Sequence, residues 1–123
     1  MTKFSFEKYP DLLDDIITGI YEAYPELEEK FGERGKVKCK EDNEHHFNYL
    51  ETAFLLNQPK IFTDYAIWLN NVLVSRGMKS SHLIDNFERI HVAIANKMKD
   101  DRDRLNQFSS YLQAAISELR DQE

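Results

Sequence analysis

Apolar residues in this chain recur mostly at intervals of three and four, the period of a helix face and not the alternation of a strand. A first helix is predicted to open at Pro10, which suits the first helical position, to carry Leu12, Leu13, Ile16, Ile17 and Ile20 on one face, and to be interrupted by Pro25. A short second piece ends near Gly32. Residues 32–38, with Gly32 and Gly35 three apart, read as a loop in which basic charge gathers. From about Lys38 to Asn57 the next helix turns Phe47, Leu50 and Phe54 inward and places Glu41, Glu44, Asn48 and Glu51 on the opposite side. After the break at Pro59, Ile61, Phe62, Tyr65, Trp68, Leu69, Val72 and Leu73 form a buried stripe that should stop at Gly77. Ser80 or Ser81 caps a helix with the face Leu83, Ile84, Phe87, Ile90, Ile94 and Met98. A last helix, from around Asp101, buries Leu105, Phe108, Leu112, Ala115, Ile116 and Leu119, and the tail Asp121-Gln122-Glu123 should fray.

These elements fit one all-α domain spanning the 123 residues, and 41% apolar against 31% charged residues is the balance of a soluble globular chain. The formal charge of −6 would repel a phosphate backbone, so nucleic acid is not an expected partner. A single cysteine excludes an internal disulfide and a cysteine zinc site. No run reaches the roughly 18 apolar residues of a membrane helix, so no membrane is expected. The opening residues, Met1 to Glu7, lack the basic start and apolar stretch of a signal peptide, and the expected location is cytoplasmic.

Candidate chemistry concentrates around the cysteine. Cys39 stands near the predicted start of its helix among Lys36, Lys38 and Lys40, so the helix terminus and the ammonium groups should favour its thiolate. The plainer reading is an inert small hydrophobe. Cys39, Asp42, His46, Tyr49 and Ala53 fall on one stripe, which places a carboxylate and a thiol on one face beside the core. A partly buried Asp42 needs N–H donors, and first-turn amides or a lysine could supply them as well as a ligand could. His45 and His46 point about 100° apart on a helix and cannot easily chelate one metal. His82 and His91 face different ways. No serine or cysteine has a recognisable base and orienting partner, so an enzyme is not expected.

The run Cys39-Lys40-Glu41-Asp42-Asn43-Glu44-His45-His46-Phe47-Asn48-Tyr49-Leu50 resembles the chromophore-attachment segment of phycobiliproteins, a Cys-x-Arg-Asp motif followed by an aromatic pair and a leucine. Pro59 and Phe62-Thr63-Asp64-Tyr65 follow at similar separations, so the likeness runs from about Arg34 to the C-terminus. It implies a globin-like helical bundle that binds biliverdin or a related bilin, closest in type to the bacterial bilin binders related to phycobiliproteins. By that resemblance Cys39 would form a thioether to the linear tetrapyrrole and Asp42 would accept from its inner pyrrole N–H groups. Arg34 and Lys38 would pair with propionates, while Tyr65, Trp68, His46 and Phe47 would line or cover the rings. Glu41 stands where the family has arginine, which leaves propionate pairing to Arg34 and the lysines. Only 38 residues precede Cys39, fewer than in antenna subunits; a homodimer is the assembly left open, not an antenna. Haem with an axial histidine is a weaker alternative, since it gives the Cys39/Asp42 pair no task. The alternative from another class is a pigment-free globin-like sensor or interaction domain, its acidic faces meeting a protein partner.

Overall fold

A computed structural model describes residues 3–122 and consists of five α-helices after a short 3-10 turn at Phe6–Lys8. The helices are α1 (Leu12–Ala23), α2 (Glu26–Leu56), α3 (Lys60–Ser75), α4 (Ser80–Lys97) and α5 (Arg102–Gln122). The predicted stripes of α1, α4 and α5 become largely buried faces. Leu12, Leu13, Ile16 and Ile20 of α1 are buried, as are Leu83, Ile84, Phe87, Ile90 and Ile94 of α4, and Phe108, Leu112, Ala115, Ile116 and Leu119 of α5. One continuous apolar core results, with α5 packed along α3 and α4, and α1 along α4 and α2.

The ends of the helices follow local chemistry in part. α3 stops at Gly77 as expected, with the Met78 N–H bonding back to the Leu73 carbonyl at 3.0 Å. α2 ends at Asn57, a left-handed residue, and the Gln58 N–H reaches the Ala53 carbonyl at 2.9 Å. Pro10 lies outside α1, which starts at Leu12. Neither serine caps α4: Ser80 is its first residue, and the Lys79 N–H ahead of it donates to His82 Nδ1 at 3.1 Å. Asp121 and Gln122 continue α5, while Glu123 lies outside the described residues, as do Met1 and Thr2.

Residues 33–38 are helical, which corrects the expected loop. The whole break is absorbed at Gly32, with φ 62° and ψ −156°, a region essentially reserved for glycine. From Glu33 onward the helix continues through Gly35, flanked by the good helix formers Glu33, Arg34, Lys36 and Lys38. Cys39 therefore sits seven residues into a running helix and not at its terminus.

Ile17, Ile61, Val72, Leu73 and Leu105 of the predicted faces are only half-buried, and three further side chains depart in ways that matter for packing. Glu51, expected outside, is buried and bonds through both carboxylate oxygens to Arg104 of α5 at 2.8 Å. Trp68, expected in the α3 stripe, is 60% exposed. Phe54 is half-buried beneath the Arg104 guanidinium, 4.8 Å from its ring centre. The N-terminal segment also enters the core. Phe4 packs on Phe47 with ring centres 5.0 Å apart, its N–H donates to Asn48 at 2.9 Å, and the Tyr9 hydroxyl reaches Asp100 at 3.2 Å. No helix among the described residues is long and apolar enough to cross a membrane.

Candidate functional site

Between α1, the first half of α2, the end of α3 and the start of α4 lies a cleft of about 220 Å³. Its walls are largely apolar: Ile20, Tyr21 and Tyr24 from α1 and its end, Leu27 and Phe31 from the start of α2, Leu69 and Leu73 from α3, and Met78 and Leu83 beyond. Cys39, Asp42 and His46 project into it from α2, with Lys38 on its edge. Four of the seven residues singled out in the sequence thus share one cavity.

The other three do not line it. Arg34 is exposed on the outside of α2. Trp68 points to solvent 6.4 Å from the Tyr65 ring, because α3 turns its Leu69 and Leu73 edge towards the cleft instead. Tyr65 is buried one layer behind His46, stacked on Tyr49 with ring centres 3.9 Å apart. Phe47 is likewise committed to the core, held by Phe4 and Phe6.

The thiol is not activated. Burial pushes Cys39 up to about 11, and the Asp42 carboxylate adds to the shift, so the sulfur is protonated at neutral pH. The expected lysine effect fails because the Lys38 ammonium pairs with Asp42 at 3.4 Å, and that of Lys36 turns away to Glu28 at 3.0 Å. Asp42 is itself held above the usual carboxylate range by burial, against the opposing pull of Lys38. It is the half-buried acceptor anticipated from its place on the stripe, and a lysine is its present partner.

Beneath the thiol lie two polar pairs that tie α2 to α4 and α2 to α3. Asn43 and Asn86 exchange amide hydrogen bonds across α2 and α4, at 2.7 and 3.2 Å, and Asn43 also donates to the Cys39 carbonyl at 2.9 Å. His46 Nδ1 lies 2.7 Å from the Tyr65 hydroxyl of α3. Burial takes His46 down to about 3, with the Asn86 side chain a partial counterweight, and burial raises the Tyr65 phenol. The phenol therefore keeps its proton and the imidazole stays neutral, and the two share one buried hydrogen bond. His46 is a neutral structural link at the cleft floor, and it is too deeply buried to be an open acid or base.

Sequence reading missed Arg76, Asn86, Tyr21, Tyr24 and Phe31 as cleft residues. Arg76 follows α3 and brings a cation to the rim opposite Lys38's helix. The sequence signal that could have found Phe31 is Gly35. A Cβ there would stand 2.5 Å from the Phe31 Cβ, so the glycine makes room for the chain to fold over the cleft. Among the described residues no group of three or more His, Cys, Asp or Glu is arranged to hold a metal ion. Comparison with family models, with curated proteins and with solved structures returns no match to the chain.

Proposed function

We propose that the protein binds a linear tetrapyrrole, biliverdin or a related bilin, in the cleft beside Cys39. One observation carries the reading: a thiol and a half-buried carboxylate, a helical turn apart, open into the same aromatic-walled cavity with cations at its edge. Such a pigment brings several pyrrole N–H donors, flat apolar rings and two carboxylates. Asp42 would take the N–H groups and release Lys38, which with Arg76 is then free for the propionates. Tyr21, Tyr24 and Phe31 would pack on ring faces. Bound this way, the pigment is restrained from twisting, and its absorption moves to longer wavelength. The cavity is below the roughly 300–1,000 Å³ of sites that bury drug-sized ligands. Four linked rings would not fit inside it with the walls in this position and would have to extend through its open side.

The test is expression together with a haem-cleaving enzyme that supplies biliverdin, followed by absorption spectra and zinc-induced fluorescence of the denatured band. Colour in the native protein is expected, with the denatured band lost in Cys39→Ala and the long-wavelength band shifted or weakened in Asp42→Ala. A folded but colourless product counts against the proposal, and Cys39→Ala that keeps a fluorescent denatured band removes the thioether. Trp68 separates this from the alternative reading of an interaction domain, which its exposure favours. Trp68→Ala should leave the pigment spectrum unchanged; a Trp68→Ala variant that abolishes self-association of a colourless wild type would support the interaction domain.

A further inference from the structure

We propose that residues 26–31 form a hinged roof over the cleft, and that ligand enters and leaves as this roof swings between Tyr24-Pro25 and Gly32. The proposal rests on reading the cleft as the ligand site, and it concerns access to that site.

The roof is a little under two helical turns bounded by two breaks. At its start Tyr24 leaves helical geometry with φ −129° and ψ 66°, and at its end Gly32 adopts φ 62° and ψ −156°. Nothing lies within 4 Å of where a Gly32 Cβ would be, so only the backbone's own preference, not packing, demands the glycine. Leu27 and Phe31, spaced i, i+4, both line the cleft, Phe31 with 42% of its surface still exposed. Their seating depends on Gly35, whose missing Cβ leaves the space that the Phe31 Cβ takes.

The roof is weakly held. Asn43 is the first residue of α2 to be fully buried; ahead of it only Leu27 and Cys39 pack against the core, and only Leu27 of these lies in the roof. The latch from roof to helix is Lys36 with Glu28 at 3.0 Å, an exposed ion pair of the kind that contributes little in water. Segments with few buried contacts open locally at small cost. Opening would lift Leu27 and Phe31 off the cavity, relieving its small size while a long ligand enters.

Hydrogen exchange of the full-length chain tests this without ligand: amides of residues 26–36 should exchange at least ~100-fold faster than those of 43–56. Saturation with biliverdin should slow the first group selectively. Gly32→Ala favours a straight helix, and Gly35→Ala expels Phe31; each should raise biliverdin association and dissociation rates by roughly tenfold. Because a hinge variant can also loosen the fold, Phe31→Ala, which leaves both breaks intact, should show the faster dissociation with unchanged protection of 43–56. Exchange of 26–36 in step with 43–56 overturns the roof, as do unchanged biliverdin rates in all three variants. If biliverdin binds none of these proteins, the ligand reading fails separately. Uptake of anilinonaphthalene sulfonate then decides the roof: greater fluorescence in Gly32→Ala than in wild type supports it, and equal fluorescence overturns it.

Discussion

Cys39 illustrates how a side chain's surroundings, and not its neighbours in sequence, decide its chemistry. Three lysines stand within three residues of it, yet two of their ammonium groups pair with carboxylates, while the thiol lies under apolar walls beside Asp42. Both effects disfavour the thiolate. Since the raised pKa of about 11 means that the reactive form grows as pH rises, alkylation by iodoacetamide should be slow near neutrality. It should accelerate about tenfold per pH unit up to that value. Asp42→Asn removes the repelling charge and should speed the reaction at any fixed pH below it. A rate that levels off near pH 8.5, measured by mass spectrometry of the adduct, would show an ordinary thiol and contradict the burial.

At the scale of elements, the stripes of α1, α4 and α5 were legible because their periods are clean and both flanks of each stripe are polar. The face of α2 was legible only from Phe47 onward. Glu51 looks like a solvent residue from its type and spacing, and nothing in α2 itself says otherwise. Its burial depends on Arg104, fifty-three positions away, whose guanidinium matches both carboxylate oxygens and is held from the other side by Asp101 at 2.9 Å. Breaking such a pair leaves one charge without its partner in a half-desolvated site. Glu51→Ala should destabilise the fold by about 2–4 kcal/mol in urea unfolding, with Arg104→Ala adding little more in the double variant. A loss under about 0.5 kcal/mol would place the pair with ordinary surface bridges.

For the molecule as a whole, the Asn43–Asn86 pair joins α2 to α4 and the His46–Tyr65 pair joins α2 to α3 below the cleft, and burial of His46 couples folding to pH. His46 titrates near 6.5 when unfolded and near 3 when folded. Below about pH 6.5 the unfolded chain takes up a proton that the fold refuses, so stability is present above that pH and is lost as pH falls towards 3. The loss from this group approaches about 1.4 kcal/mol per pH unit. His46→Gln should lower stability at neutral pH and flatten the decline across that window. Parallel pH profiles for the two proteins, from urea unfolding at several pH values, would mean that His46 is protonated within the fold.

What the chain determines locally is its helical content, the position of most breaks, and the placing of Cys39, Asp42 and His46 on one face, because a 3.6-residue period sets directions along a single helix. Which residues meet across helices was decided only in three dimensions. Trp68 faces out and Glu51 in, Arg76 reaches the cleft and Arg34 does not, and Gly32 turns the supposed loop into a kink with a roof beyond it. Helix period fixes the angle of a side chain about its own axis, whereas burial and charge pairing depend on what the neighbouring helices bring to that angle.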